Sequence, residues 1–326
     1  MELTELCKSA KEVSRQIGNL DTNTKNEVLR AAAEALVAHT DEIIRENEKD
    51  LARGRENHMP EGLLDRLMLT PSRMEQMAEG LQVAALADPI GEVLSMKKRP
   101  NGLMIGKKRV PLGVVGMIYE ARPNVTVDAF ALCFKTGNAV ILKGGSDAIL
   151  SNIVIVSVLQ EVLEAHGIPR AAVSLIEDTS RETAAAFMKM NEYVDVLIPR
   201  GGAGLIRAVV NQATIPVIET GTGNCHIYVD ESADFDMAIR IILNAKTQRI
   251  GVCNACESLV IHEKIVDAFM PKLAAALQQK DVVIHADEKS LAAAERREAA
   301  NGGDLKKELL SAATEEDWGR EYLDYM

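Results

Sequence analysis

Short apolar runs alternate with helical stretches between Gly113 and Ile218, and this alternation limits the possible folds more than any other feature of the chain. The runs are rich in valine, isoleucine and leucine, and the stretches between them include a helix near 125–134 and a long helix that ends at His166. Strands that alternate with helices form a parallel sheet covered on both faces. We therefore predict a dinucleotide-binding core with strands at Gly113–Ile118, Ala139–Lys143, Val173–Ile176, Val194–Ile198 and Ile215–Ile218.

The segments before this core differ from it and from each other. Residues 3–86 carry apolar side chains at intervals of three and four, which predicts a series of helices. From Glu92 to Arg109, two basic arms flank a Pro-Asn-Gly turn, which is typical of a protruding β-hairpin. The exposed edges of such a hairpin favour strand pairing, so we expect it to mediate self-association into a homo-oligomer.

After Glu219 the pattern indicates a second α/β unit. Strands are predicted at 226–229 and 282–285, with helices near 234–248 and 262–279. Residues 287–326 are charged and rich in alanine, which predicts surface helices. The expected domains are a Rossmann-like cofactor-binding domain (1–90 and 111–218), an oligomerisation hairpin (91–110) and an α/β catalytic domain (219–326).

Length, composition and charge exclude several classes of protein. A chain of 326 residues with 47% hydrophobic and 26% charged residues can bury a large core and divide into two or more domains. A net charge of −11 and an aromatic content of 3% argue against a nucleic-acid partner. The charged N-terminal segment does not resemble a signal peptide, and we expect no apolar run long enough to span a bilayer.

Five cysteines, an odd number, do not suggest a disulfide framework, so a reducing and therefore cytoplasmic location is expected. Cys253 follows small residues and precedes an apolar run, which predicts a catalytic nucleophile. Lys246 and Arg249 precede it by seven and four residues, and could lower its pKa or hold a substrate anion. The alternative is that Cys253 is a small buried hydrophobic residue.

The Cys253-x-x-Cys256 spacing also allows half of a zinc site or a redox pair. Zinc needs four ligands, and neither a second cysteine pair nor a histidine pair follows, since His262 stands alone. The rest of the chain does not resemble a thioredoxin. We therefore expect Cys256 to be a packing residue and expect no bound metal.

Two further polar residues are candidates for acyl-transfer chemistry. Glu219 lies 34 positions before Cys253 and ends an apolar run, where a carboxylate would be costly to bury without a partner. It could act as a base or helper, or only as a strand-end cap. Asn124, after Pro123, could donate to an oxyanion, although a turn or N-cap role is the alternative.

These segments, in this order, resemble those of the aldehyde dehydrogenase superfamily, in which an Asn, a Glu segment and a Cys segment form the site. The amino-acid sequences of three segments are similar to those of one branch, the gamma-glutamyl phosphate reductases of proline biosynthesis. The segments are Tyr119–Asp128, Leu142–Ser146 and Val252–Glu257. The resemblance runs from Met1 to Met326. It implies an aldehyde dehydrogenase-like α/β fold.

The resemblance also implies a reaction and its partners. We expect NADPH-dependent reduction of L-glutamyl 5-phosphate to L-glutamate 5-semialdehyde through a thioester on Cys253, with Asn124 assisting. Arg122, Lys246 and Arg249 are expected to hold the anions of this small-molecule substrate, and the kinase that makes the acyl phosphate is a candidate partner. The alternatives are an NAD(P)-dependent aldehyde dehydrogenase with Glu219 as hydrolytic base, and a non-catalytic binding or assembly module.

The cofactor residues follow two strand ends. By resemblance Lys143 reaches the adenosine ribose, although a lysine there could also be an ordinary solvated edge residue. Ser146 stands where relatives that prefer NAD carry an acid, which leaves room for the 2′-phosphate of NADPH. Gly201 and Gly202 join a strand to a helix, so their backbone amides could approach a pyrophosphate, or the glycines could serve a tight turn.

Members of the resembled family continue beyond this point with a strand, a helix and a Phe-Gly-x-Glu type segment that helps to close the cofactor site. We therefore expect the catalytic domain to be C-terminally incomplete. On this expectation the chain is a weaker oligomer and a poorer enzyme than a longer version.

Overall fold

The computed structural model describes residues 2–87, 91, 93–221, 223–301, 307–322 and 324–326. Two compact units emerge, Met1–Thr220 and Gly221–Met326. Glu92, at which the predicted hairpin begins, lies outside the described residues. The cofactor and catalytic roles expected of the two units stay predictions.

The first unit combines helices with a hairpin and a parallel sheet. Its helices are α1 (Leu3–Gly18), α2 (Thr22–Ala38), α3 (Thr40–Glu56), α4 (Glu61–Leu67), α5 (Pro71–Leu86), α6 (Pro123–Lys135), α7 (Ile149–Ala165), α8 (Arg181–Phe187) and α9 (Ala203–Gln212). Its strands are β1 (Val93–Lys98), β2 (Met104–Lys108), β3 (Val114–Tyr119), β4 (Ala139–Lys143), β5 (Val173–Leu175) and β6 (Val196–Arg200). The helical series predicted for residues 3–86 is confirmed by α1 to α5.

The central sheet is parallel, with strand order β5-β4-β3-β6. Every residue of β4 and β5 is buried, because helices cover both faces, and this explains their nearly continuous apolar sequences. The strand order reverses direction between β3 and β6, as in dinucleotide-binding folds, where ligands bind beyond the carboxyl ends of the strands at this reversal. The Rossmann-like prediction is confirmed.

The predicted strand at Ile215–Ile218 is reduced to a single parallel bridge between Leu197 and Val217. The Leu197 N–H donates to the Pro216 carbonyl, and the Ile218 N–H donates to the Leu197 carbonyl, both at 2.9 Å. Pro216 itself has no N–H to donate, which shortens the ladder. The expected strand is therefore wrong in extent, although the segment lies beside β6 as the pattern required.

The hairpin of β1 and β2 is antiparallel, and all eleven residues of the two strands are exposed. At its turn the Arg99 N–H donates to the Leu103 carbonyl at 2.8 Å, and Gly102 has φ +87°, a conformation that glycine adopts at little cost. The predicted turn at Pro-Asn-Gly is therefore confirmed. Apolar side chains, including Met96 and Met104, remain exposed between the lysines.

One helical segment has the length and composition of a membrane span, against our expectation that none would. Ser146–Ala165 has a mean hydropathy of 1.6 over its most apolar window, half of which is buried inside the protein. Within it, α7 packs against α2, α3 and β5, with Ile155, Leu159 and Leu163 fully buried. These contacts identify α7 as a core helix, and its apolar character follows from that burial.

The second unit contains α10 (Phe235–Thr247), α11 (Val266–Gln278) and α12 (Glu288–Asn301), with strands β7 (Cys225–Val229), β8 (Cys256–Ile261), β9 (Ile284–Ala286) and β10 (Leu310–Ala312). β7 pairs with β8 and β9 with β10, both in parallel. The sequence did not predict β8. The expectation of surface helices over 287–326 is wrong in part, because β10 follows α12 and packs on β9.

Candidate active site

The predicted cofactor residues of the first unit lie at the carboxyl ends of its parallel strands. Lys143 is the last residue of β4, and Gly201 and Gly202 follow β6 directly. Ser146 begins a short 3₁₀ turn after β4 and is exposed. This is the edge at which a dinucleotide binds in folds with this strand order.

Lys143 is not an ordinary solvated edge residue, because it is 4% exposed. Its ammonium donates to the Gly144 carbonyl at 3.2 Å. Burial lowers the pKa of Lys143, and attraction to the Asp178 carboxylate opposes this effect. A desolvated cation interacts strongly with nearby anions, so the arrangement suits a phosphate or ribose ligand.

Gly202 caps the N-terminus of α9, and its N–H donates to Oε2 of Glu120 at 2.9 Å. A Cβ atom at Gly201 would lie 2.6 Å from the same oxygen, so a side chain at this position would displace the carboxylate. The glycines therefore accommodate a carboxylate of this chain where we expected a pyrophosphate. No role for Glu120 was predicted from the sequence, although a charged residue directly after the buried strand β3 indicates a candidate site residue.

Asn124 lies in the first turn of α6 and is exposed. The N-cap position belongs to Arg122, so the alternative N-cap role for Asn124 is wrong. The Asn124 amide donates to the Asp128 carboxylate at 3.1 Å. Desolvation raises the pKa of Asp128, against the Asn124 hydrogen bond and the charge of Arg200. Arg122 is half-buried.

Glu219 is exposed in the loop after the Leu197–Val217 bridge, so the expected cost of burying its carboxylate does not arise. Within the part of the chain that the structure describes, the Glu219 side chain makes no hydrogen bond that would cap a strand end. An exposed carboxylate is available to a water or a ligand.

In the second unit, Cys253 lies in the turn between α10 and β8 and is exposed. The alternative that it is a buried hydrophobic residue is therefore wrong. Its backbone is held closely, because the Cys225 thiol donates to the Cys253 carbonyl at 3.4 Å and a Cβ atom at Gly223 would lie 2.5 Å from that carbonyl oxygen. No role for Gly223 was predicted from the sequence.

Cys256, the first residue of β8, is buried. Burial raises the pKa of its thiol, and the nearby Lys246 ammonium opposes the shift. All five cysteines are free thiols, and no cluster of three metal-ligating side chains occurs among the described residues. The two thiols of the Cys253-x-x-Cys256 segment therefore occupy different environments, one accessible to reagents and one not.

The two basic residues before Cys253 also differ. Lys246 is 4% exposed, and its ammonium donates to the Met326 carbonyl. Burial lowers the pKa of Lys246, while the Glu257 and Asp324 carboxylates and Cys256 oppose the shift. Arg249 is exposed in the loop that leads to Cys253. Arg249 is therefore the more accessible of the two to a substrate anion.

The second unit contains a cavity. It has a volume of about 130 Å³, and its lining includes Lys246, Cys256, His285 and Tyr322 together with apolar residues of β8, β9 and α11. Cys253 is not among its lining residues. The exposed Cys253 thiol therefore does not line this cavity.

Comparisons with known proteins identify the family and several relatives of this chain. Residues 1–298 match the model of the aldehyde dehydrogenase family. The chain is 57% identical over its full length to gamma-glutamyl phosphate reductase of Agathobacter rectalis and spans 76% of that protein. It also resembles the crystal structure of gamma-glutamyl phosphate reductase from Thermotoga maritima, with a TM-score of 0.84, 42% identity, full coverage of this chain and 76% of that one.

The same enzyme from Saccharomyces cerevisiae is a more distant structural relative, with 29% identity and a TM-score of 0.63 over 96% of this chain and 80% of that one. The two bacterial relatives show that similarity extends over the whole of both units. The chain spans about three quarters of the length of these bacterial relatives.

Proposed function

The chain belongs to the gamma-glutamyl phosphate reductase branch of the aldehyde dehydrogenase family, and from this premise we propose that it reduces L-glutamyl 5-phosphate to L-glutamate 5-semialdehyde and phosphate in proline biosynthesis. The observation that carries the proposal is the exposed Cys253 thiol on a closely held turn. A nucleophile must be both accessible and fixed in position to attack a bound acyl group.

In this reaction the Cys253 thiolate attacks the acyl carbon of the substrate. A carbon–sulfur bond forms, the bond from carbon to the phosphate oxygen breaks, and phosphate leaves. The thioester carbon would then be reduced by the hydride that NADPH would supply when bound. The tetrahedral product then collapses, which breaks the carbon–sulfur bond and returns the electron pair to sulfur, and the aldehyde is released.

Asn124 is proposed to stabilise the oxyanion of both tetrahedral steps. Its amide nitrogen carries two hydrogens, and the bond to Asp128 uses one of them. The second can therefore point to an oxygen of the substrate. Donors fixed in advance are effective because they need no reorganisation when charge develops. Arg122, Arg249 and Lys246 are proposed to hold substrate anions, with Arg249 the most exposed of the three.

NADPH is the proposed cofactor. The first unit fits such a group, because the buried Lys143 ammonium and the Gly202 amide at the N-terminus of α9 both favour anions. Ser146 supplies no carboxylate that would repel a 2′-phosphate. Gly201 and Gly202 would receive the pyrophosphate, and Lys143 the adenosine ribose.

An aldehyde dehydrogenase that hydrolyses its thioester is the second candidate, favoured by the exposed Glu219 carboxylate. Hydrolysis needs a general base, whereas reduction of an acyl phosphate does not. Glu219→Gln should therefore leave reduction nearly unchanged. Loss of turnover in this variant, together with oxidation of an aldehyde to its acid by the unmodified chain, would favour the hydrolytic enzyme instead.

We also propose that the protein assembles into a homo-oligomer through the hairpin, in a cytoplasmic setting that keeps its five thiols reduced. The kinase that makes the acyl phosphate is a proposed partner. Exposed Met96 and Met104 are apolar groups that a second copy would cover. Met104→Lys should reduce the oligomer size in sedimentation, and an unchanged size would contradict this assignment.

The direct test of the function is the reverse reaction. Glutamate 5-semialdehyde, phosphate and NADP⁺ are mixed with the protein, and formation of NADPH is followed by absorbance. A rate of NADPH formation that depends on phosphate supports an acyl-phosphate reductase. An equal rate with and without phosphate, with glutamate as the product, would show a hydrolytic dehydrogenase.

A further inference from the structure

The Glu120 carboxylate lies at the reversal of strand order in the first unit. Glu120 directly follows β3, and its Oε2 atom accepts the hydrogen bond from the Gly202 N–H, beyond the end of β6, at 2.9 Å. Its own N–H donates to the Arg200 carbonyl at 3.3 Å. The residue therefore connects the ends of the two strands between which a dinucleotide is expected to bind.

The neighbouring backbone is shaped to this carboxylate. A Cβ atom at Gly201 would lie 2.6 Å from Oε2 and 2.8 Å from the carboxyl carbon of Glu120. Gly202 is the N-cap residue of α9, a helix of ten residues. The N-terminus of a helix attracts anions through its unpaired N–H groups. Glu120 is exposed, so its side chain can turn into solvent without breaking an apolar core.

We propose that Glu120 is an internal anion that competes with the cofactor pyrophosphate for the Gly202 amide and so sets the affinity of the protein for its dinucleotide. The inference rests on the proposed function, in which Gly201 and Gly202 receive the pyrophosphate. One N–H cannot serve both anions at full strength, and two like charges at this position repel each other. Binding of NADPH therefore breaks the bond between Glu120 and Gly202.

This competition gives a specific pattern of ligand dependence. Neutralising Glu120 removes the competing charge and should strengthen binding of any ligand that carries the pyrophosphate. Adenosine 2′-monophosphate has the ribose and the 2′-phosphate but no pyrophosphate, so its binding should not change. A general electrostatic effect of one lost charge would instead strengthen both ligands.

The experiment measures dissociation constants for NADPH, by nicotinamide fluorescence, and for adenosine 2′-monophosphate, by calorimetry. The variants are Glu120→Gln, which keeps the side-chain volume, and Glu120→Ala, which removes the acceptor. The control is Glu192→Gln, which changes the same charge in the exposed turn before β6, at the opposite edge of the sheet.

We expect the NADPH dissociation constant to fall roughly threefold to tenfold in both Glu120 variants, which is the size of a solvent-exposed hydrogen bond to a charged group. The dissociation constant of the Glu120 variants for adenosine 2′-monophosphate should equal that of the unmodified chain within error. Both dissociation constants of Glu192→Gln should also equal those of the unmodified chain. A cooperative thermal unfolding transition establishes that each variant is folded. If Glu120→Ala does not fold, the dissociation constants of Glu120→Gln alone test the inference.

Two outcomes overturn the inference while leaving the proposed function intact. In the first, the unmodified chain binds NADPH, but the dissociation constant of Glu120→Gln for NADPH is unchanged or higher. In the second, Glu120→Gln gains as much affinity for adenosine 2′-monophosphate as for NADPH. If neither the unmodified chain nor Glu120→Gln binds NADPH, the inference and the proposed cofactor both fail. Binding by Glu120→Gln alone would support the inference.

Discussion

Gly223 lies so close to Cys253 that a Cβ atom at Gly223 would be 2.5 Å from the Cys253 carbonyl oxygen and 3.3 Å from the Cys253 Cβ. Real Cβ atoms do not approach a backbone oxygen this closely. The turn that presents the thiol is therefore packed directly against the segment before β7. In the proposed reaction this contact fixes where the nucleophile stands.

Gly223→Ala should disturb the position of Cys253 and lower kcat by roughly a hundredfold, because a displacement of about 1 Å at a reacting group has effects of that order. Gly221→Ala is the matched control, since a Cβ atom there meets nothing within 4 Å. Steady-state kinetics of both variants test the prediction. Equal rates in the two variants would show that the close contact does not position the thiol.

The cysteines should react with iodoacetamide in an order set by burial. Cys253 is exposed, whereas burial raises the pKa of Cys7 to about 11 and that of Cys133 to about 12. The thiolate is the reactive form, so at pH 8 the buried thiols should stay unmodified while Cys253 is alkylated first. Peptide mass spectrometry at increasing times gives the order. Alkylation of Cys256 before Cys253 would contradict it.

Burial of Cys133 should also make stability depend on pH. Because burial raises the folded-state pKa of Cys133 to about 12, the folded protein holds this proton more tightly than the unfolded chain does. The stabilisation is complete below the unfolded pKa, near 8.5, and is lost as pH rises towards the folded pKa.

Urea unfolding at pH 8 and pH 10 tests this dependence. The free energy of unfolding should fall by about 1 to 2 kcal/mol more in the unmodified protein than in Cys133→Ala. The difference in the free energy of unfolding between the two proteins should be the same at pH 7 as at pH 8, which serves as the internal control. An identical pH dependence in both proteins would refute the argument.

The sequence predicted those elements whose pattern is local. β3, β4 and β5 are short, buried and apolar, and each is followed by a helix, so pattern and structure coincide. β10 was missed because the composition of residues 287–326 favours helices, and its pairing with β9 is a tertiary contact. Pro216 reduced a predicted strand to a bridge, since a proline cannot donate in a ladder.

For the candidate site, the sequence indicated residue types and order but not burial or partners. Exposure of Cys253 and burial of Cys256 depend on where β8 begins. The bond between Glu120 and Gly202 joins positions 82 residues apart and follows only from the pairing of β3 with β6. No local pattern contains such a contact.

Cofactor preference should depend on Ser146. Ser146→Glu places a carboxylate beside the proposed 2′-phosphate position, so NADPH should bind roughly tenfold more weakly and NADH should become preferred. Ser146→Ala, which adds no charge, should keep the preference for NADPH. Dissociation constants for both cofactors test this. Comparable affinity of the unmodified chain for NADPH and NADH would contradict the assignment.

The identity of the nucleophile is the central claim, and it is tested most directly by trapping the thioester. Protein is incubated with L-glutamyl 5-phosphate, generated in place by its kinase, without NADPH, and the acylated residue is located by fragmentation of the peptide that contains Cys253 and Cys256. We predict one glutamyl group on Cys253 in the unmodified chain and in Cys256→Ser, and none in Cys253→Ser, which should remain folded but inactive. Acylation of Cys256, or full turnover by Cys253→Ser, would contradict the account.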